Sequence, residues 1–385
     1  MSGRPLHAVA LTAVPQLLDA LAAALDGGPA LLPVDPGLPA PARDALLAAL
    51  RPAAIINAAG TRPLPDGVPV SDDVAVVVAT SGSTGDPKGV ELTAAALRHS
   101  AHATLARVGA HAGDRWLCCL PPSGIAGLQV LVRSLVAGTE PVVLDRFSVD
   151  AVRAAPAQHV ALVPTMLQRL LDAGADLTGF STVLVGGAAL PQSMRNRAAG
   201  ARIITTYGMT ETAGGCVYDG VPLDGVSLDL ADDGRIGIGG PVLASGYRLR
   251  PDLTEAAFVG GRLSTADLGQ FDAAGRLEVL GRVDDVMVTG GVNVSATAVA
   301  DLLSKHPGVA QVAVVPADDS EWGQRVVAIV VPDPAGEPPT LAELRAHVRA
   351  HAPAAHAPRE LRLVNALPVL ASGKLDRRTL RGMPR

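Results

Sequence analysis

Between residues 74 and 205 apolar, β-branched runs alternate with Ala-rich amphipathic stretches, and that alternation constrains the fold more than anything else in the chain. Val74–Val78, Val142–Leu144, Val160–Val163, Thr182–Val185 and Arg202–Thr205 read as strands, with Thr93–Val108 and Thr165–Ala173 as helices between them. Strands separated by helices need crossover connections, so the pattern predicts an α/β architecture with a largely parallel sheet. From about Arg235 the texture changes to short strands and Gly-rich turns such as IGIGG and GRLEVLGR, which predicts a β-rich subdomain. With 385 residues the chain is longer than one core usually supports. A boundary is expected near Gly281–Asp285, giving a large N-terminal domain over 1–281 and a small mobile α+β domain over 282–385. The small domain reads as helix 295–305, strands 309–315 and 325–331, helix 341–351 and strand 360–363.

Composition removes several classes of function. The net charge of −5 is spread along the chain with no basic run, which argues against nucleic acid as a partner. Cys118, Cys119 and Cys216 form neither a CxxC pair nor an even disulfide set, as expected of a cytoplasmic protein. The first 25 residues read as an amphipathic helix and not as a signal peptide, because Pro5, His7, Pro15 and Asp19 interrupt the apolar run. No apolar window long enough for a membrane span is free of charge or proline. Of 32 basic residues only Lys88, Lys305 and Lys374 are lysines. Where Arg is the default cation, a Lys marks a place that needs a compact ammonium on a flexible stem.

Two of those lysines fall in motifs. Thr80-Ser-Gly-Ser-Thr-Gly-Asp-Pro-Lys-Gly-Val90 follows the VAVVVA strand. Its glycines free the backbone to curve around an anion, the hydroxyls of Ser81, Ser83 and Thr84 donate, and Lys88 brings charge: a polyphosphate loop. It is not the GxxxxGK[ST] loop, because Gly follows the Lys. Tyr207-Gly-Met-Thr-Glu-Thr212 follows a second strand and offers an aromatic face, a hydroxyl and a carboxylate able to hold Mg²⁺. Ser264-Thr-Ala-Asp-Leu-Gly269 places Asp267 near a turn, suited to ribose hydroxyls. Gly281-Arg-Val-Asp-Asp285 running into MVTGGVNV, and Ser372-Gly-Lys-Leu-Asp-Arg377, complete the set.

In this order and at these separations the five motifs resemble the adenylate-forming superfamily of acyl-CoA synthetases, luciferases and carrier-protein adenylation domains. Leu32-Pro-Val-Asp-Pro-Gly-Leu38 and Glu321-Trp-Gly-Gln-Arg325 extend the resemblance over nearly the whole chain. The resemblance implies an ATP-dependent acid–thiol ligase using Mg²⁺ and coenzyme A. Thr80, Ser81, Gly82, Ser83, Thr84, Gly85 and Lys88 would wrap the ATP phosphates. Gly186, Gly187, Ala188, Tyr207 and Gly208 would frame the adenine; Thr210 would meet the α-phosphate and Glu211 would hold the metal. Asp267 and Arg282 would grip the ribose, Asp284 would be the hinge, and Lys374 the adenylating lysine. Gly290 and Gly291 would line the pantetheine path.

The acid is a separate question. The segment Leu120–Gly138 supplies part of the acyl pocket in this superfamily and carries no Asp or Glu here, which disfavours an amino-acid substrate. Ser123 and Gly127 are expected to line the pocket. Arg133 stands in an otherwise apolar stretch, and either snorkels to the surface, caps a neighbour or meets a second substrate carboxylate. GLQVLVRSLVAG and YGMTETAGGCVYDGVPLDGV resemble the actinobacterial branch of the superfamily that ligates o-succinylbenzoate to CoA in menaquinone synthesis. One position departs: relatives commonly read LPxxH, and Gly124 occupies the His position. Another aromatic or medium-chain acid, or a carrier protein in place of CoA, stand as alternatives, and a homodimer is left open.

Overall fold

The computed structural model describes residues 3–11, 14–81, 87–334, 336–370 and 375–383, with the side chains of Ser81 and Asp284 excluded. Packing divides the chain into two compact units: Met1–Ala189 with Ala198–Leu228 and Ile238–Ser264, and Leu190–Arg197 with Asp229–Gly237 and Thr265–Arg385. The fold is α/β with a β-rich part, as expected.

Two seven-stranded sheets make up most of the first unit. One runs Gly246–Tyr247, Pro87–Thr93, Val74–Ser81, Ala30–Pro33, Leu6–Ala10, Ala54–Asn57, Gly60–Pro63. The other runs Val221–Pro222, Gly214–Tyr218, Ile203–Met209, Thr182–Gly186, His159–Leu162, Trp116–Cys118, Val142–Val143; it is parallel except at its Gly214–Tyr218 end. Helices Ala94–Val108 and Pro164–Asp172 form where periodicity placed them, the first capped by Thr93 Oγ1 accepting from Ala96 N at 3.0 Å. The helix expected over residues 1–25 is only Val14–Leu25; Leu6–Ala10 is instead a parallel strand between two neighbours. Buried on both faces, LHAVA lacks the alternation that betrays a strand.

In the second unit, Val292–Ser295, Val286–Thr289, Gly323–Pro332 and Val309–Asp319 form a sheet, with Glu360–Leu363 parallel to Gly323–Pro332. Helices Ala296–Leu303 and Leu341–Arg349 cover it around a core including Met287, Val299, Val326 and Leu344. Strand Arg262–Phe271 runs across the division: Leu263 pairs with Phe258 in the first unit, and Asp267–Phe271 pairs with Leu277–Arg282 in the second. The packing division therefore precedes residue 281, because this second hairpin belongs to the C-terminal unit. All three cysteines are buried; burial pushes Cys118 and Cys119 up to about 12 and Cys216 to about 11, so they are protonated and inert. Among the described residues no helix is long and apolar enough to cross a membrane.

Candidate active site

In a parallel sheet the strands end together, and loops leaving their carboxyl ends converge on one rim, where ligands bind. Gly186 closes Thr182–Gly186, and Met209 closes Ile203–Met209 beside it. Ser123 and Gly124 lie in the turn that follows Trp116–Cys118 and opens helix Ile125–Ala137. Gly186, Gly187, Ala188, Tyr207, Gly208, Thr210, Glu211 and Ser123 are thus brought to one rim. Gly186 is required there: a Cβ would stand 2.3 Å from Thr206 Oγ1 on the next strand.

The sharpest local structure is the 3₁₀ turn Thr210–Thr212. Thr212 is buried and braces the turn from inside, accepting from Met209 N at 3.0 Å and donating to Gly214 O at 2.7 Å. Thr210 and Glu211 stay partly exposed. Ala213, next in the chain, is left-handed at φ 51, a costly conformation for a residue with a Cβ. Its carbonyl is held by two buried donors, Gln129 Nε2 at 2.7 Å and Ser100 Oγ at 3.1 Å. Glu211 is held too: Tyr247 Oη donates to Oε1 at 2.7 Å, while Oε2 has no hydrogen-bond partner among the described residues. Gln129, Ser100 and Tyr247 carried no motif signal, and only the fold brings them to the turn.

The phosphate-loop motif forms a hairpin of Val74–Ser81 and Pro87–Thr93, with Thr80 opposite Lys88. Gly82, Ser83, Thr84 and Gly85 lie outside the described residues, as does Lys374. Val369 and Leu375 flank the Lys374 segment and pair as an antiparallel bridge. Arg377, just beyond, is ion-paired with buried Asp285 in the 3₁₀ turn Val283–Asp285 that contains Asp284.

Three expectations change. Asp267 is not near a turn; it lies within the ten-residue strand Arg262–Phe271, buried, with Arg282 opposite and its Nη1 3.1 Å from Asp267 Oδ1. Gly127 does not face a pocket: its Cα packs on the turn, and a Cβ would stand 2.4 Å from Pro121 O. Arg133 does not snorkel to the surface: it is buried. Helix Ile125–Ala137 runs back from the rim, so Arg133 lies about 12 Å along it at 1.5 Å per residue. Its guanidinium stacks at 4.2 Å on Trp116, the first residue of its strand, and lies close to Tyr218, the last residue of the antiparallel strand. Trp116 marks the amino end of its parallel strand, whereas Tyr218 pairs opposite Thr206, level with Gly186. Burial pulls its pKa down, and Tyr218 and Cys118 partly offset this. At Gly124, by contrast, the backbone is ordinary (φ −104), and a Cβ would meet only Pro121 O, at 3.7 Å, so packing does not exclude a side chain.

In the second unit Gly290 and Gly291 turn the hairpin between Val286–Thr289 and Val292–Ser295. Trp322 lies against Gly290, where a Cβ would meet the indole at 2.6 Å, and Arg359 stacks on the same ring at 4.0 Å. Arg359 has no carboxylate partner among the described residues. A cavity of about 820 Å³ opens beside them, with Arg325, Glu360 and Arg362 also on its wall.

Comparison with known proteins agrees with this arrangement. Residues 56–255 match the AMP-binding enzyme family and residues 298–374 the AMP-binding enzyme C-terminal domain. A Mycobacterium tuberculosis protein named "Probable 2-succinylbenzoate–CoA ligase" is 42% identical over 98% of this chain and 97% of its own. The o-succinylbenzoate CoA synthetase of Bacillus subtilis, solved with its acyl-adenylate intermediate, superposes with a TM-score of 0.85 at 26% identity, over 99% of this chain and 89% of that one. The same enzyme with ATP and magnesium ion gives 0.83 at 26% identity, over 98% and 88%. With one family match spanning half its length and such a relative spanning nearly all of it, the chain belongs to the AMP-binding enzyme family.

Proposed function

We propose that this protein is a cytoplasmic AMP-forming ligase that joins 2-succinylbenzoate to CoA in menaquinone biosynthesis. The observation that carries the acid is the 42% identity, end to end, with the mycobacterial relative of that name. Adenylate chemistry is supported independently by the hairpin Thr80/Lys88 and by the Thr210–Glu211 turn at the strand ends. First the carboxylate attacks the α-phosphorus of ATP, giving the acyl-adenylate and diphosphate. Then the CoA thiol attacks the acyl carbon, giving the thioester and AMP.

The roles follow the chemistry of each group. The Thr80–Lys88 loop holds the phosphates; Gly186, Gly187, Ala188, Tyr207 and Gly208 receive the adenine; Asp267 and Arg282 take the ribose. Thr210 donates to the α-phosphate. Glu211 fits Mg²⁺: one carboxylate oxygen is fixed by Tyr247 and the other is open, and Mg²⁺ binds through one or two carboxylates plus phosphate oxygens. When bound, the ion neutralises phosphate charge. Ser123 lies toward the acid. Lys374 brings an ammonium to the carboxylate and α-phosphate. Its withdrawal, as domain 282–385 turns about Asp284 against domain 1–281, opens the path past Gly290 and Gly291 for the thiol. Trp322 and Arg359 beside that turn offer a flat face and a cation to the acceptor.

Incubation with ATP, Mg²⁺, CoA and a panel of acids, with products read by mass spectrometry, tests this. The expected product is 2-succinylbenzoyl-CoA with equimolar AMP. AMP release favouring another acid, or no thioester from free CoA, would overturn the assignment.

A further inference from the structure

The segment Ala244–Arg248 joins the two sheets of the first unit at the places where each carries a nucleotide motif. On one side Ala244 N donates to Glu211 O at 2.8 Å, and Tyr247 Oη donates to Glu211 Oε1 at 2.7 Å. On the other, Ser245 N donates to Glu91 O at 2.9 Å and Arg248 N to Gly89 O at 2.8 Å, with Gly246 and Tyr247 paired in register against Glu91 and Val90. Those acceptors follow Lys88 on the descending arm of the phosphate hairpin. Arg248 nails the strap down: buried, it bonds Leu50 O and Val68 O and pairs with Glu91 at 3.3 Å.

From this geometry we infer that Tyr247 is a positioning residue for the metal–nucleotide site, fixing the Glu211 carboxylate at a set height above the phosphate hairpin. The inference rests on the reading of Glu211 as the magnesium-holding carboxylate. Tyr247 is itself well located. Its N–H donates to Thr254 Oγ1 at 2.9 Å, and Phe258 meets its ring edge-on at 6.1 Å between centroids. A metal-binding carboxylate held this way keeps one oxygen committed and turns the other outward. Removal of such outer partners typically weakens metal binding about 10–100-fold.

Tyr247→Phe deletes only the hydroxyl and keeps the ring and the strap. The test is calorimetric titration of MgCl₂ into the full-length enzyme saturated with a non-hydrolysable ATP analogue, beside titration of the analogue in EDTA. Tyr247→Phe is expected to weaken the Mg²⁺ response about ten-fold and to leave analogue binding in EDTA within about two-fold. Glu211→Gln is run in parallel. If it weakens the Mg²⁺ response and Tyr247→Phe does not, the inference is overturned and the reading of Glu211 stands. If Glu211→Gln leaves the response unchanged, both fall. Equal weakening with and without Mg²⁺ would make Tyr247 a packing residue only, which also overturns it.

Discussion

Lys374→Ala is expected to lower acyl-adenylate formation by about 10²–10³-fold, while thioester formation from supplied acyl-adenylate stays within about two-fold of the parent. The reason is electrostatic. A carboxylate and an α-phosphate approaching to 4 Å repel by roughly 4 kcal/mol at an effective dielectric of 20, before bond formation concentrates the charge further. A bridging ammonium offsets that repulsion where it is greatest, and a chain that uses Arg almost everywhere retains Lys here. The second half-reaction has a neutral acyl carbon, a thiol and a departing AMP, and gains nothing from the same ammonium. The substitution should spare the fold, because the flanks are anchored apart from it: Val369 bridges Leu375, Asp376 N bonds Pro368 O at 2.9 Å, and Arg377 pairs with Asp285. Acid-dependent exchange of labelled diphosphate into ATP reports the first step, and thiol consumption with synthetic acyl-adenylate reports the second. Equal loss in both steps at an unchanged melting temperature would remove Lys374 from its assigned role.

What could be read from the sequence was what the chain encodes locally. Strand 74–81 and helix 94–108 announce themselves through period and cap, and the phosphate hairpin through Gly, Ser and Lys in one run. Leu6–Ala10 was hidden because a strand buried on both faces has no alternation to show. The supports of the Thr210–Thr212 turn were hidden for another reason. Gln129, Ser100 and Tyr247 reach it from sequence separations of 84, 113 and 36 residues, and nothing near them in the chain marks the encounter. Asp and Gly favour turns and so predict one at Asp267, yet the cross-strand cation at Arg282 and burial decide its conformation. For Arg133 the direction of its helix carries the information that the local sequence lacks. A helix following a parallel strand returns antiparallel to it, so a residue two turns along has already left the ligand rim.

That placement makes Arg133 a test of how the acid is recognised. Arg133→Ala is expected to lower the melting temperature by roughly 5–10 °C, corresponding to about 2–3 kcal/mol for a unit of this size, through a cavity and a lost Trp116 stack. It is expected to leave the ratio of kcat/KM for 2-succinylbenzoate over benzoate-like monocarboxylates within about two-fold, because no substrate contact is removed. A guanidinium bound to the second carboxylate would give a different signature, a selective loss of about 1.5–3 kcal/mol, or ten- to a hundred-fold, on the dicarboxylate alone. Arg133→Met separates packing from charge. It refills most of the volume beside Trp116 and removes a buried cation close to the Tyr218 hydroxyl, itself within 2.9 Å of Thr104 Oγ1. Replacing buried charge by well-packed hydrophobe is often neutral or stabilising, so Met is expected to recover most of the melting temperature lost in Ala. Thermal melts and two-substrate kinetics on both variants decide the matter. A ten-fold dicarboxylate-selective loss in Arg133→Met, with stability intact, would return Arg133 to the acid site and contradict the packing role read from its stack on Trp116.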